Sequence, residues 1–397
     1  MLIPLTNTPR NYAWGSTTAI AGVLGAEPSG RPEAELWLGA HPGSPARVLE
    51  PDRTGGAETL AAWVESDPAA AGLREPRLPF LLKLLAADAP LSLQAHPSPA
   101  QALAGFDREN AAGIPLDSPS RNYKDAFHKP ELIFALSDTF DALCGFRPVA
   151  DAATDVDALV AVPGLKPDAV AELRAFRARL DGPDADVLRS VVDFLLTEDV
   201  TALVSAVADA AASAPETPAV ITVRRLAESY PGDPGIVVSL LINSVTLTRG
   251  QVLYLPPGNI HAYLSGFGVE LMAASDNVLR GGLTPKHIDV PELLSVLDFA
   301  PLPVPYLEPR SIGAGAALYA PDVPDFELVH VAALGGETVQ LELPGPAIAI
   351  VTGGTVTLAG ASAHRSLSRG EIVYVTPDEA PLGVSGGGEL FLATTRL

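Results

Sequence analysis

The chain has 397 residues, 47 of them acidic and 26 basic, for a formal net charge of −21, and 47% are hydrophobic. That length can bury a large core spread over two or three structural units, while the charge argues against nucleic acid or an anionic membrane surface as a partner. A single cysteine, Cys144, excludes an intramolecular disulfide and fits a reducing compartment. No basic stretch followed by an apolar core opens the chain and no apolar run could span a bilayer, so the expectation is a cytoplasmic protein.

Residues 1–146 carry short apolar and β-branched runs broken by Pro and Gly, read as strands, with helical patches near 59–67 and 98–106. Within this stretch Leu91-Ser92-Leu93-Gln94-Ala95-His96-Pro97 alternates, so an extended backbone places Gln94 and His96 on one face. Glu131 closes His128-Lys129-Pro130-Glu131, just before the apolar run 132–136. From 151 to about 230 the texture becomes alanine-rich and helically periodic. Pro167 followed by Asp168 and Glu172 is a helix start signal, and 186–197 and 200–212 keep apolar residues at three- and four-residue spacings. Gly232-Asp233-Pro234-Gly235 ends the helical block. Residues 236–243 are apolar throughout and fit either helix or strand. Short strands and turns are predicted from 244 to the end.

An internal repeat organises the second half. Residues 250–266 read GQVLYLPPGNIHAYLSG and residues 370–386 read GEIVYVTPDEAPLGVSG, matching in Gly, Tyr, Pro, Ser and Gly without gaps. Two β-barrels of one type are implied, each with a strand–turn–strand at this place. In the second copy Pro381 stands where His261 stands in the first, and Asp378 replaces Gly258. Proline cannot ligate a metal, so the second copy is expected to be structural, with His364 the one histidine near it.

Gln94, His96, Glu131 and His261 together suggest one metal centre. A lone strand histidine is usually a hydrogen-bonded rim residue, but three separate segments here each offer a ligand beside a backbone-fixing Pro or Gly. Two imidazoles, one carboxylate and one amide oxygen suit a borderline cation such as zinc, with room left for water or substrate. The stretch from Gly250 to His261 matches the second metal-binding motif of the cupin barrels, G-x5-P-x-G-x2-H. The five lysines are Lys83, Lys124, Lys129, Lys166 and Lys286, and four of them fall in or beside the segments named here. An anionic substrate bound by so acidic a protein would need a locally basic pocket of such fixed cations.

These residues carry a family resemblance over nearly the whole length. His261-Ala262-Tyr263-Leu264-Ser265-Gly266, continued by Val269-Glu270-Leu271-Met272-Ala273-Ala274-Ser275-Asp276-Asn277-Val278-Leu279-Arg280-Gly281-Gly282-Leu283-Thr284-Pro285-Lys286, resembles a long signature of the type I mannose-6-phosphate isomerases. Asn122-Tyr123-Lys124-Asp125 with His128-Lys129-Pro130-Glu131 resembles another, and Glu35–Pro42 and Leu93–Pro97 match further segments. Two departures are visible: Phe127 where the family usually has Asn, and Gly281 where it usually has Ala. Phe127 puts in doubt the hydrogen bonding behind His128.

The resemblance implies a mainly β fold with an α-helical insertion: two cupin (jelly-roll) β-barrels plus a helical domain. The expected parts are a catalytic barrel from 1–146 and 235–300, a helical insertion at 147–234, and a metal-free C-terminal barrel at 301–397. It implies one Zn2+ per chain held by Gln94, His96, Glu131 and His261, and interconversion of mannose 6-phosphate and fructose 6-phosphate through a cis-enediol. Arg280, Lys129 and Glu270 are the implied catalytic groups, and Lys83, Ser92, Tyr263, Asp276 and Lys286 the implied substrate-binding groups. His128 is a candidate for assisting ring opening. For Asp276, a role in an ion network that shapes the Arg280 loop is the stronger expectation. A phosphorylated hexose is the expected partner, without nucleic acid or membrane, and the expected state is a monomer. Two rivals are an iron-dependent cupin oxygenase, weakened because Gln94 fills a slot where many such enzymes have histidine, and a non-catalytic metal-holding sugar-binding cupin.

Overall fold

A thirteen-residue strand, His261–Ala273, is the spine on which the catalytic half is built. In the computed structural model, which describes every residue except 314, 333 and 397, this strand changes partners half-way. Its first residues pair with Leu93–Ala95 and Thr139–Phe146, placing His261 opposite both Gln94 and Cys144. From Gly266 onward it pairs with Phe80–Ala87, and from Gly268 with Glu131–Ala135. Gly266 sits at the changeover with φ +127°, and a Cβ there would meet Phe140 at 2.7 Å, so glycine is required on two counts. All of these pairings are antiparallel, and the five strands belong to a nine-stranded sheet.

An eight-stranded sheet and a four-stranded sheet lie in the C-terminal part. The first strand of the chain, Leu2–Thr6, pairs with Ile372–Val375, so the two ends of the sequence share one sheet. Among the described residues the protein is therefore mostly β, with antiparallel sheets and a separate block of helices.

The helices of the 151–230 block fall where the periodicity places them, whereas Val290–Val296 is a helix within a stretch expected to hold only strands and turns, started by Asp289, whose side chain caps it. Asp184–Thr197 buries Val187, Leu188, Val191, Val192 and Leu195 along one face, with Asp184 and Asp186 in its first turn facing the positive end of the helix dipole. Pro167 occupies the first turn of Pro167–Ala178, and Ser98 with Gln101 forms a capping box that starts Pro99–Ala111. The buried helix faces share one core with Leu93, Ala95, Ala262 and Leu279. The helical block thus buttresses the strands that carry Gln94 and Arg280. No helix among the described residues is long and apolar enough to cross a membrane.

The ambiguous segment 236–243 is both kinds of structure. Gly235–Val238 is helical, Ser239–Leu241 is a 3-10 turn, and the strand begins at Ile242. Every residue from Gly235 to Ile242 is buried, so an unbroken apolar run carries no period to read. The repeat is a strand–turn–strand in both copies, Val252–Leu255 to His261–Ala273 and Ile372–Val375 to Leu382–Gly386. In neither copy do the two strands pair with one another; each joins other partners.

Candidate active site

His96, Glu131 and His261 are each 1% exposed, and their ligating atoms lie within 4.8 Å of one another. Three strand neighbourhoods bring them there: the end of Leu93–Ala95, the first residue of Glu131–Ala135 and the first residue of His261–Ala273. Each ring is anchored by the nitrogen that faces away from the cluster. His96 Nδ1 lies 2.8 Å from the Asn277 carbonyl, and His261 Nδ1 lies 3.0 Å from the Asn259 carbonyl. A carbonyl only accepts, so in both rings Nδ1 carries the proton and a neutral ring leaves Nε2 as a bare lone pair. Burial, helped by the Lys129 charge, pushes His96 down to about 4, which keeps it neutral at pH 7.

Those lone pairs face oxygens. His96 Nε2 is 3.4 Å from Glu131 Oε1, and His261 Nε2 is 3.3 Å from Glu131 Oε2. Burial alone would raise the Glu131 carboxyl, but the Lys129 charge beside it holds it well below the usual carboxylate range. His261 Nε2 and Glu131 Oε2 are buried with no hydrogen-bond partner. Two acceptors face to face are repulsive unless a cation lies between them, so the donor set fits a divalent metal. The Lys129 ammonium is already drawn in, touching Glu131 Oε1 and lying 3.4 Å from His96 Nε2.

Gln94 stands directly opposite His261 on one neighbour and opposite Arg280 of Leu279–Gly282 on the other. Directly opposed residues share a face, so Arg280, Gln94 and His261 form a row across three strands. The Gln94 side chain makes no hydrogen bond among the described residues, which leaves its amide oxygen available as the fourth ligand.

Beside the row opens a cavity of about 640 Å3 whose wall includes Lys83, Lys124, Lys129, Asp276 and Arg280. Lys83 is 5% exposed and clamped between Glu270 at 2.8 Å and Glu35 at 3.5 Å. Burial would lower this ammonium, but the two carboxylates outweigh it and raise it above its ordinary value. Burial raises the Glu270 carboxyl despite Lys83. Arg280 makes no hydrogen bond or ion pair among the described residues, its Nε is buried without a partner, and burial lowers its guanidinium. Tyr263 is buried against Phe140 with its hydroxyl unpartnered, and its ring lies 6.2 Å from the His261 ring.

A family model for the phosphomannose isomerase type I catalytic domain matches residues 2–149, and one for the type I C-terminal region matches residues 316–361. Mannose-6-phosphate isomerase of Escherichia coli (strain K12) is 39% identical over 403 residues, covering 99% of each chain. The chain belongs to the type I phosphomannose isomerases. The Homo sapiens mannose-6-phosphate isomerase is 31% identical over all of this chain and 94% of its own. Among solved structures, a zinc-bound holo mannose 6-phosphate isomerase superposes with a TM-score of 0.87, and a variant of the Salmonella typhimurium phosphomannose isomerase with 0.89. Both are 35% identical and match over the full length of both chains.

Against the residues expected from the type I phosphomannose isomerase resemblance, the structure is selective. His96, Glu131, His261 and Lys129 meet directly, Lys83 meets Glu270, and of the expected residues Lys83, Lys129, Asp276 and Arg280 line the cavity. Ser92 is half-buried before its strand and is not in that wall, and Lys286 is exposed beyond the turn at Gly282. Asp276 receives His41 Nε2 at 3.0 Å, and its backbone N–H donates to Asp125. His128 Nε2 is 2.8 Å from Asp325 in the C-terminal part, so its ring is spent on a contact between two parts of the fold. The Phe127 ring stacks on Arg77 at 3.6 Å, while its carbonyl accepts from Asn277 and Ser275, so hydrogen bonding behind His128 is kept by the backbone. Glu35 was missed as a site residue; its place at the head of a family-matched segment was the only signal.

Proposed function

We propose that this enzyme interconverts D-mannose 6-phosphate and D-fructose 6-phosphate, with zinc held by Gln94, His96, Glu131 and His261. The observation that carries this reading is a set of buried, orphaned metal donors beside a cavity walled by the fixed cations Lys83 and Arg280. When bound, zinc supplies positive charge that polarises or organises the oxygens at C1 and C2. The rest of the chemistry falls to the chain.

Moving a proton between C2 and C1 needs a base near that edge and charge or donors for the developing enediolate. Lys129 and Glu270 are the proton movers of the proposal. Burial favours the protonated form of Glu270, and its 2.8 Å contact with Lys83 gives it a partner for its charged form. Lys83, held as an ammonium by two carboxylates, binds anionic or hydroxyl oxygens without giving up its proton. Arg280 is permanently charged and already stripped of competing partners, which suits it to meet charge on the substrate. Tyr263 offers a buried hydroxyl with no internal partner, and Ser92 and Lys286 extend the substrate contacts at the margin.

The fold proposal that accompanies this is two jelly-roll barrels of the cupin kind, with 147–234 inserted into the first and 301–397 forming most of the second. A monomer working in the cytoplasm completes it. The test is isomerase activity on mannose 6-phosphate before and after chelation, with zinc add-back, in wild type and His261→Ala. Activity lost on chelation, restored by zinc and absent in the variant supports the assignment. Chelation-resistant activity, or full zinc occupancy in His261→Ala, overturns it, and oxygen consumption on adding iron would point to an oxygenase instead.

A further inference from the structure

Asn277 is 0% exposed, and its side chain uses every donor and acceptor it has. Its Oδ1 accepts from the backbone N–H of Lys124 at 2.6 Å and of Asp125 at 3.3 Å. Its Nδ2 donates to the carbonyls of Asp125 and Phe127, both at 2.8 Å. The amide therefore copies a backbone strand edge and binds residues 124–127 as a paired strand would. Those residues lead through His128, Lys129 and Pro130 straight to Glu131.

The main chain of Asn277 faces the other way. Its carbonyl receives His96 Nδ1 at 2.8 Å, the contact that fixes the tautomer and aim of that ring. Three residues later in the chain is Arg280. One residue thus holds the approach to Glu131 with its side chain, holds His96 with its carbonyl, and stands at the root of the Arg280 strand. Ser275 reinforces the knot: its single hydroxyl proton lies between Asp125 Oδ1 at 2.8 Å and the Phe127 carbonyl at 3.0 Å, while its oxygen accepts from the Asn277 N–H.

We infer that Asn277 is a positioning residue for the metal centre, coupling the placement of His96, Glu131 and Arg280 so that zinc affinity depends on a side chain that never meets the ion. The inference rests on the zinc reading given under Proposed function. Alanine at 277 leaves the buried side-chain contacts to the Lys124 N–H and the Asp125 carbonyl unmade and removes one of the two donors on the Phe127 carbonyl, so the segment must shift to replace them. Both routes to the metal then loosen together. Partners of this kind behind metal ligands change metal affinity by about 10–100-fold when removed.

The test is competition between holoenzyme and a colorimetric chelator for zinc, run with thermal unfolding on wild type, Asn277→Ala and Asn277→Asp. Asp keeps the volume and the acceptor for Lys124 but loses both donors, so it carries the test if Ala fails to fold. Two further variants calibrate it. His96→Ala reports the zinc assignment itself. Glu379→Ala removes a buried carboxylate bound by Ser362 and Ala363 in the C-terminal part, far along the chain from any ligand. The expected result is zinc affinity weaker by about 10–100-fold in the Asn277 variants and unchanged in Glu379→Ala, whatever either does to the unfolding temperature. Zinc affinity within twofold of wild type in a folded Asn277 variant overturns the inference, as does failure of both Asn277 variants to fold, which would make the residue a general folding determinant. If wild type itself holds no zinc, or His96→Ala holds it fully, the zinc reading fails first and separately.

Discussion

Arg280→Ala should separate catalysis from stability more cleanly than any other single change. The guanidinium has no hydrogen bond and no ion pair among the described residues, and its Nε is buried without an acceptor. Removing a buried unpaired donor recovers about 1–3 kcal/mol. Against this, the half-buried stem loses about two buried methylenes at about 0.8 kcal/mol each. The two nearly cancel, so the unfolding temperature should hold or rise slightly. Catalysis has no such compensation. The register sets Arg280 in one row with Gln94 and His261, and loss of a fixed group serving developing negative charge costs about 10²–10³ in kcat, or about 2.7–4 kcal/mol. The assay measures kcat and KM for mannose 6-phosphate with zinc content and thermal unfolding on the same preparation. The expected pattern is full zinc, wild-type stability and a kcat at least a hundredfold lower, with KM moving less. A wild-type kcat with raised KM would make Arg280 a phosphate anchor. A kcat loss tracking zinc or stability would refute the reasoning altogether.

Other outcomes follow from the same structure. Asp233 accepts from the N–H groups of Gly235, Leu283 and Thr284, and Leu283 sits at φ +54°, a left-handed conformation that side chains disfavour. Asp233→Ala should therefore destabilise by about 2–4 kcal/mol and lower activity, because the turn it clamps follows Arg280; an unchanged urea midpoint would contradict this. The Glu389 carboxyl is opposed by burial, but hydrogen bonds from His330 and Thr352 and the Arg249 charge outweigh that and bring it from 4.5 to about 2. A carboxyl lowered on folding adds stability above its unfolded value and loses it as pH falls toward the folded one. Wild type should thus lose stability between pH 4.5 and 2 more steeply than Glu389→Gln, and parallel curves would exclude the effect. His364 is exposed on His364–Ser368 in the four-stranded sheet, so His364→Asn should leave turnover nearly unchanged, and a hundredfold loss would reveal a role for the second copy.

The sequence by itself determined what depends on neighbours along the chain. Alternation around Gln94 and His96 marked a strand, Pro167 and the spacings from 186 marked helices, and motif spacing picked out His96, Glu131 and His261, because local geometry and ligand chemistry are written in adjacent residues. The family resemblance added Lys83 and Glu270 as expected site residues, but not that they pair across 187 positions, nor that Glu35 completes the clamp. Tertiary structure alone decided the register that lines up Arg280, Gln94 and His261, the burial that strips Arg280 of partners, and the diversion of His128 to Asp325. It also decided that Leu2–Thr6 joins a strand near the other end of the chain, and whether 236–243 would be helix or strand. These are pairings between distant segments, fixed by which apolar faces cover one another, and no local period records them.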